Sequence, residues 1–176
     1  MEITIRRADA ADLDAVVRVY EHVHDAEEAG PAQVGWIRGV YPVRSTAEAA
    51  LERGDLFVEE ADGAVVGTGI FNRLQADVYA GAPWQYDAPD DQIMVLHTLA
   101  VDPQAGKRGL GRAFAAFYEQ YAREQGCRYL RIDTNAKNAN ARRFYTGLGY
   151  REIAVRPCTF NGIGIVDLVL LEKKLD

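Results

Sequence analysis

The chain has 176 residues, 48% of them hydrophobic and 26% charged, with a formal net charge of -6. That length suits one domain, residues 1–176, with a core that needs no disulfide staples, and the acidic balance argues against a general nucleic-acid binder. No apolar run approaches the ~20 residues of a membrane span, and the leading MEITIRRADAADL has no signal-peptide core, so a cytoplasmic protein without a membrane partner is expected.

Ile3 and Ile5 alternate with polar residues and predict a half-buried strand. Asp9 or Asp12 can cap a helix whose apolar face is Leu13, Val16, Val17, Tyr20 and Val23. His22 and His24 on it read as surface or packing residues. Gly30 to Pro42 is broken by Gly and Pro and carries Trp36 and Tyr41. Ser45 with Glu48 is a capping-box pattern opening a short helix that ends near Gly54. Leu56–Glu60 and Val65–Phe71 form a hairpin around Asp62-Gly63. Residues 73–91 make a long connection with Tyr79, Trp84 and Tyr86, either a binding lid or a solvent loop pinned by Trp84.

Ile93 to Val101 is almost continuously apolar, as in a strand covered on both faces. A helix runs from Gly109 to about Gln125, with Leu110, Ala113, Phe114, Phe117 and Tyr121 on one face. Tyr129–Asp133 is a strand, Asn138–Leu148 a helix, and Tyr150–Val155 and Ile165–Leu171 the last two strands. The order predicts a mixed α/β sandwich with one parallel crossover and an antiparallel tail. Cys127 and Cys158 belong to no CxxC pair, which leaves one bridge or, as a reducing cytosol favours, two free thiols. No cluster has metal-ligand spacing, so no metal is expected.

The chemistry concentrates in LAVDPQAGKRGLGR, residues 99–112. A strand ends, Pro103 breaks it, and a Gly-rich loop leads into a helix. The first N–H groups of a helix lack internal partners and favour negative charge. Gly106, Gly109 and Gly111 clear the backbone for a phosphate, and Lys107, Arg108 and Arg112 add positive charge. No acidic residue occurs from Pro103 through Tyr118. The Walker pattern fails at Arg108 and the dinucleotide fingerprint fails at Phe114. Taken alone, the loop also reads as a tight strand-to-helix turn with a solvated basic face.

A second constellation follows some thirty residues on. Asn138, Ala141 and Tyr145 share one helical face and lead into Tyr145-Thr-Gly-Leu-Gly-Tyr150. A strand ending in LAVDP with a Gly-x-Gly loop, then N-x-x-A-x-x-x-Y-x-x-L-G-Y, resembles the GCN5-related N-acetyltransferase (GNAT) superfamily. The element order matches from about Ile3 to Leu171. The resemblance implies a mixed, mostly antiparallel sheet of six to seven strands with about four helices on both faces. It implies acetyl-CoA as acyl donor and a small-molecule, amino-acid or peptide amine as acceptor. The pyrophosphate would lie on Lys107, Arg108, Gly109, Leu110, Gly111 and Arg112, with Gly106 opening the loop. The pantetheine would pair along Leu99 and Val101 and touch Asn138, and Tyr145 would serve as general acid. Gly106 departs from the family's usual Gln or Arg, so a side-chain contact is missing there, which Lys107 or Arg108 can replace.

A neutral amine must attack the thioester, so a base, a water chain or a pKa-lowering site is required. A backbone N–H near Leu99 to Val101 would hold the oxyanion. His97 is the candidate base by residue type; its other reading is a structural histidine. Strict alternation puts it on the same face as Leu99 and Val101. Arg131, Lys137, Arg142, Arg143 and Arg151 read as a positive field or as solvated charges. For the acceptor, Trp36, Tyr41, Tyr79, Trp84, Tyr86 and Phe160 offer an apolar wall, a cation–π site, a local core or a homodimer contact. Asp87, Asp90 and Asp91 can attract a cationic acceptor or be a solvated face. The other functional class is a non-catalytic acyl-CoA-binding regulatory module of the same fold.

Overall fold

A computed structural model describes residues 1–31 and 33–176. The elements are β1 (Ile3–Arg7), α1 (Leu13–Ala29), α2 (Arg44–Arg53), β2 (Leu56–Ala61), β3 (Ala64–Asn72), β4 (Ile93–Val101), α3 (Leu110–Glu124), β5 (Tyr129–Asn135), α4 (Ala139–Gly147), β6 (Arg151–Phe160) and β7 (Gly164–Lys174). The strands form one seven-stranded sheet in the order β1-β2-β3-β4-β5-β7-β6. Every neighbouring pair is antiparallel except β4 and β5. This is the mixed, mostly antiparallel sheet with four helices that the resemblance implied, and it has the parallel crossover and antiparallel tail that the element order predicted.

Helices cover both faces because each presents one apolar stripe. Val16, Val19 and Tyr20 of α1 and Ala47 and Ala50 of α2 pack on Val58 and Ile70. On the other face Phe114 and Tyr118 of α3 and Tyr145 of α4 pack on Phe57, Phe71 and Met94. Burying one such aromatic contributes about 2–3 kcal/mol. The stripe of α1 is centred on residues 16, 19, 20 and 23, so Val19 is fully buried and the expected Val17 lies at its margin. Helix α2 starts at Arg44 rather than after Ser45, because the Thr46 hydroxyl accepts the Val43 N–H at 3.1 Å and does what Glu48 was expected to do.

The connection between β3 and β4 replaces a helix. Tyr79 is buried with Ile93, Val95, Leu168 and Leu170 on the Ile70 face of the sheet, opposite α3 and α4, beyond the part that α1 and α2 cover. Trp84 lies 4.0 Å from the Arg131 guanidinium carbon and donates its indole N–H to the Tyr79 carbonyl. The Gln85 N–H reaches the buried Glu172 carboxylate at 2.6 Å. Trp84 thus pins the segment, which also lines two cavities.

Two irregularities create the opening described below. Strands β4 and β5 pair only from Ile93–Tyr129 to Leu96–Ile132, then part. At that level β4 bulges: Thr68 pairs with Ala100 and Ile70 with His97, so Thr98 and Leu99 stand opposite Gly69 alone. Thr98 has φ +49°. Gly69 is required there, since a Cβ would sit 3.0 Å from the Phe114 ring.

The segment after α1 closes the opening from above. One carboxylate, Glu27, accepts the N–H groups of Gln33, Val34 and Gly35 at 3.0, 3.2 and 2.6 Å. Gly35 has φ +82°, and a Cβ on it would lie 2.4 Å from the Asn135 amide nitrogen. The Glu27→Ala variant should therefore raise hydrogen exchange at the Val34 and Gly35 amides by at least tenfold; unchanged exchange would exclude the clasp.

Glu59 on β2 is fully buried and neither carboxylate oxygen has a hydrogen-bond partner among the described residues. Burial raises its pKa from 4.5 to about 7. The folded state keeps a proton that the unfolded chain has lost, so this group costs stability as pH rises from about 4.5 through about 7. Relative to wild type, Glu59→Gln should gain up to about 3 kcal/mol between pH 5 and pH 8 in denaturant titrations.

Candidate functional site

Where β4 and β5 part, a cavity of about 110 Å³ opens between them. Leu99, Asp133, Asn138 and Tyr145 line it from the sheet and α4. Gly35, Trp36, Tyr41 and Phe160 line it from the loops. Tyr41 and Phe160 meet edge to face with centroids 5.4 Å apart, and Trp36 and Tyr41 at 6.2 Å. The Tyr41 hydroxyl bonds to the Thr98 hydroxyl, which ties this wall to the bulge.

The edge of β4 is open here. The Asp102 N–H bonds to the Val66 carbonyl, so by alternation the Val101 N–H and C=O point away from β3. No β5 residue pairs with β4 beyond Leu96, leaving that edge available to an extended ligand.

At the far end of β4 the chain turns into α3. Asp102 caps a 3-10 turn at Pro103–Ala105 by accepting the Gln104 N–H at 2.8 Å. Gly106 and Gly109 then take φ +80° and +74°. The first internal bond of α3 runs from the Ala113 N–H to the Gly109 carbonyl, so the N–H groups of Leu110, Gly111 and Arg112 precede it. Lys107, Arg108 and Arg112 are exposed around this terminus. Arg108 spends its Nε on the Ala105 carbonyl. The Leu110 side chain is buried beneath, so only its backbone faces outward. A Cβ on Gly111 would make ordinary van der Waals contact with the Phe144 ring at 3.5 Å, so the packing of α3 on α4 does not itself demand glycine there. His22, expected as a surface or packing residue, has its Nδ1 2.9 Å from the Asp102 carboxylate and ties α1 to this loop. His24 is buried on the Pro42 carbonyl.

Asn138 is the N-cap of α4, its side-chain oxygen accepting the Ala141 N–H at 3.1 Å. What it can still offer a ligand is its amide nitrogen. Tyr145, seven residues on, is 6% exposed and edge to face with Phe144 and Tyr150. Burial and then the Asp133 charge hold its hydroxyl well above the usual phenol range, so it stays protonated and can donate.

Asp133 was not singled out by the residue pattern. It lies on β5 just past the last β4 pair, and its Oδ2 accepts the Tyr79 hydroxyl at 2.7 Å. Burial raises its pKa and the Tyr79 hydrogen bond opposes this. Its strand, Tyr129–Asn135, also carries Arg131, Thr134 and Asn135, so the residue pattern gives Asp133 no distinct signal.

His97 does not share a face with Leu99 and Val101, because the bulge at Thr98 and Leu99 breaks the alternation. It lines a neighbouring cavity of about 390 Å³, together with Asp133 and Tyr41. Its Nε2 lies 2.7 Å from the Asn72 side-chain oxygen, and burial pushes its pKa down to about 4, leaving it neutral at pH 7.

The basic residues near Asp133 in sequence are mostly committed elsewhere. Arg142 holds Glu152 and the Ala136 carbonyl, Arg143 holds Asn140, Arg151 holds Gln85, and Arg131 sits under Trp84. Of the six aromatics named for an acceptor, Trp36, Tyr41 and Phe160 line the opening. Tyr79, Trp84 and Tyr86 line a separate cavity with Asp87 and Asp90. Cys127 and Cys158 are free thiols. Among the described residues no group of side chains could hold a metal, and no helix is long and apolar enough to cross a membrane.

The fold has counterparts among known proteins. A mycothiol acetyltransferase of Cellulomonas flavigena is 29% identical over 96 residues, which is 54% of this chain and 26% of that protein. The matched part thus spans about a quarter of the relative's length. A GNAT-family acetyltransferase from Streptococcus agalactiae superposes with a TM-score of 0.82 at 21% identity, covering 99% of this chain and 96% of its own. The yncA protein of Salmonella typhimurium, solved with its cofactor acetyl-CoA, gives 0.68 at 24% identity, covering 99% and 94%. At such identities the likeness is one of fold. The model of the acetyltransferase (GNAT) family matches residues 17–150, most of the chain, and the chain belongs to that family.

Proposed function

We propose that residues 1–176 act as one N-acetyltransferase domain that moves the acetyl group of acetyl-CoA to a primary amine. The observation that carries this reading is the opening between β4 and β5, which holds Asp133, Asn138 and Tyr145 beside a free strand edge. The residues fit the acyl donor at both ends. The N–H groups of Leu110, Gly111 and Arg112, with Lys107, Arg108 and Arg112, suit a pyrophosphate. The free edge at Leu99 and Val101 suits an amide-bearing arm, with the Asn138 amide nitrogen as a further donor. The Val101 N–H supplies an oxyanion donor at the thioester.

An acceptor ammonium must lose a proton before its nitrogen can attack. Asp133 accepts that proton in this reading, because it faces the opening and its raised pKa improves its basicity. His97, the base first suggested by residue type, is the weaker candidate, since a pKa of about 4 and the bulge both separate it from the task. The amine nitrogen then bonds to the carbonyl carbon and the C–S bond breaks, its electrons passing to sulfur. Tyr145 gives its proton to the departing thiolate and regains one from the amine nitrogen. Overall the ammonium loses two protons: one ends on the CoA thiol and one is released.

In thiol-release assays Tyr145→Phe should cut turnover by about 10²-fold while the acetyl-CoA Kd moves less than twofold; full turnover would exclude the acid role. Wild-type kcat should rise with pH as Asp133 loses its proton, with an acid limb above the ordinary range of a free Asp. Asp133→Asn should abolish that limb and lower kcat by about 10²-fold or more. Acetyl-CoA binding without turnover on any amine would instead identify a binding module.

A further inference from the structure

The cavity of about 390 Å³ shares Leu96, Thr98, Asp133, Tyr41 and Phe160 with the reaction opening, and so lies on its acceptor side. Its charged residues are Asp133 and Asp77; His97 beside them is neutral at pH 7. No lysine or arginine is among its lining residues. The arginines of the adjoining cavities are committed, Arg53 to Asp55 and Arg131 to Gln75 beneath Trp84. Arg156 is tied to the Ala80 and Gly81 carbonyls.

Asp77 is placed there by its own turn. It starts the 3-10 turn Asp77–Tyr79, and the buried Tyr79 anchors that turn by donating its hydroxyl to Asp133. One carboxylate therefore sits at the reacting end of the cavity and a second, exposed one at its rim. An acceptor with a carboxylate beside its amine would put like charges together without a cation to offset them. An acceptor with a second positive charge would meet Asp77 while its first nitrogen meets Asp133.

The geometry points to a dicationic acceptor, an alkyl diamine or similar amine with a second cation and no carboxylate, held between Asp133 and Asp77. This rests on the amine-acetylating reading above and adds the substrate class. The sheet carries the opposite charge at its other end, where Lys107, Arg108 and Arg112 surround the α3 terminus, so the two ends of the site select opposite charges.

The test uses the full chain saturated with CoA and three matched series of four to six carbons: α,ω-diaminoalkanes, n-alkylamines and ω-amino acids. NMR titration gives each Kd, and thiol release with acetyl-CoA gives each kcat/KM. The best diamine should bind at least about fivefold more tightly than its monoamine, the scale of one exposed ion pair, and the ω-amino acid more weakly than both. Asp77→Asn should bring the diamine-to-monoamine ratio close to one. A monoamine equal to the diamine, or an ω-amino acid that binds more tightly, would overturn the proposal. Should the binding order hold with no thiol release on any amine, charge selection stands and the acetyl-transfer reading falls.

Discussion

The structure depends on the separation of β4 from β5. The two strands are the only parallel neighbours in the sheet, and their pairing ends at Leu96 and Ile132. Backbone groups are costly to leave unpaired in a protein interior, so a strand edge that is opened must face a ligand or solvent. The bulge at Thr98 and Leu99 accompanies the separation: it adds a residue to β4, turns His97 away and brings Leu99 to the opening. Phe114 fills the space that Gly69 leaves vacant opposite the bulge. The cavity is thus a place where regular sheet pairing was given up and the surrounding core was repacked around the gap.

The charges follow the same axis. Strand β4 runs from the acidic acceptor side to the α3 terminus, where three cations and three unbonded N–H groups gather. The net charge of -6 describes neither end. Its segregation matters more, because a low-dielectric cleft amplifies local fields. The wall of Trp36, Tyr41 and Phe160 lines the middle of this axis.

Much of this was legible in the residues, for local reasons. Gly106 and Gly109 marked the loop because their φ values require glycine. Helical spacing, a short-range rule, put Asn138 and Tyr145 on one face of α4, and the family resemblance suggested their roles. What was missed is long-range. Thr98 adopts a positive φ without a glycine to announce it, so alternation misplaced His97. Asp133 gains its meaning only when the crossover through α3 sets β5 beside β4. Asp77 lies in a connection whose path over the sheet no periodicity describes, and of the acids chosen from sequence, Asp87, Asp90 and Asp91, the first two line a different cavity. No residue pattern marks Glu27, yet it organises three backbone amides.

The Tyr79–Asp133 hydrogen bond joins a surface connection to a titrating group in the cleft. Thermodynamic linkage makes such a join reciprocal. Any acceptor that stiffens the Asp77–Tyr79 turn strengthens the bond and lowers the proton affinity of Asp133; any proton gained by Asp133 loosens the turn and weakens its hold on the acceptor. In the proposed reaction, recognition and basicity are therefore one coupled equilibrium. A change in the connection between β3 and β4 that altered which amine fits would also shift the pH at which the protein works.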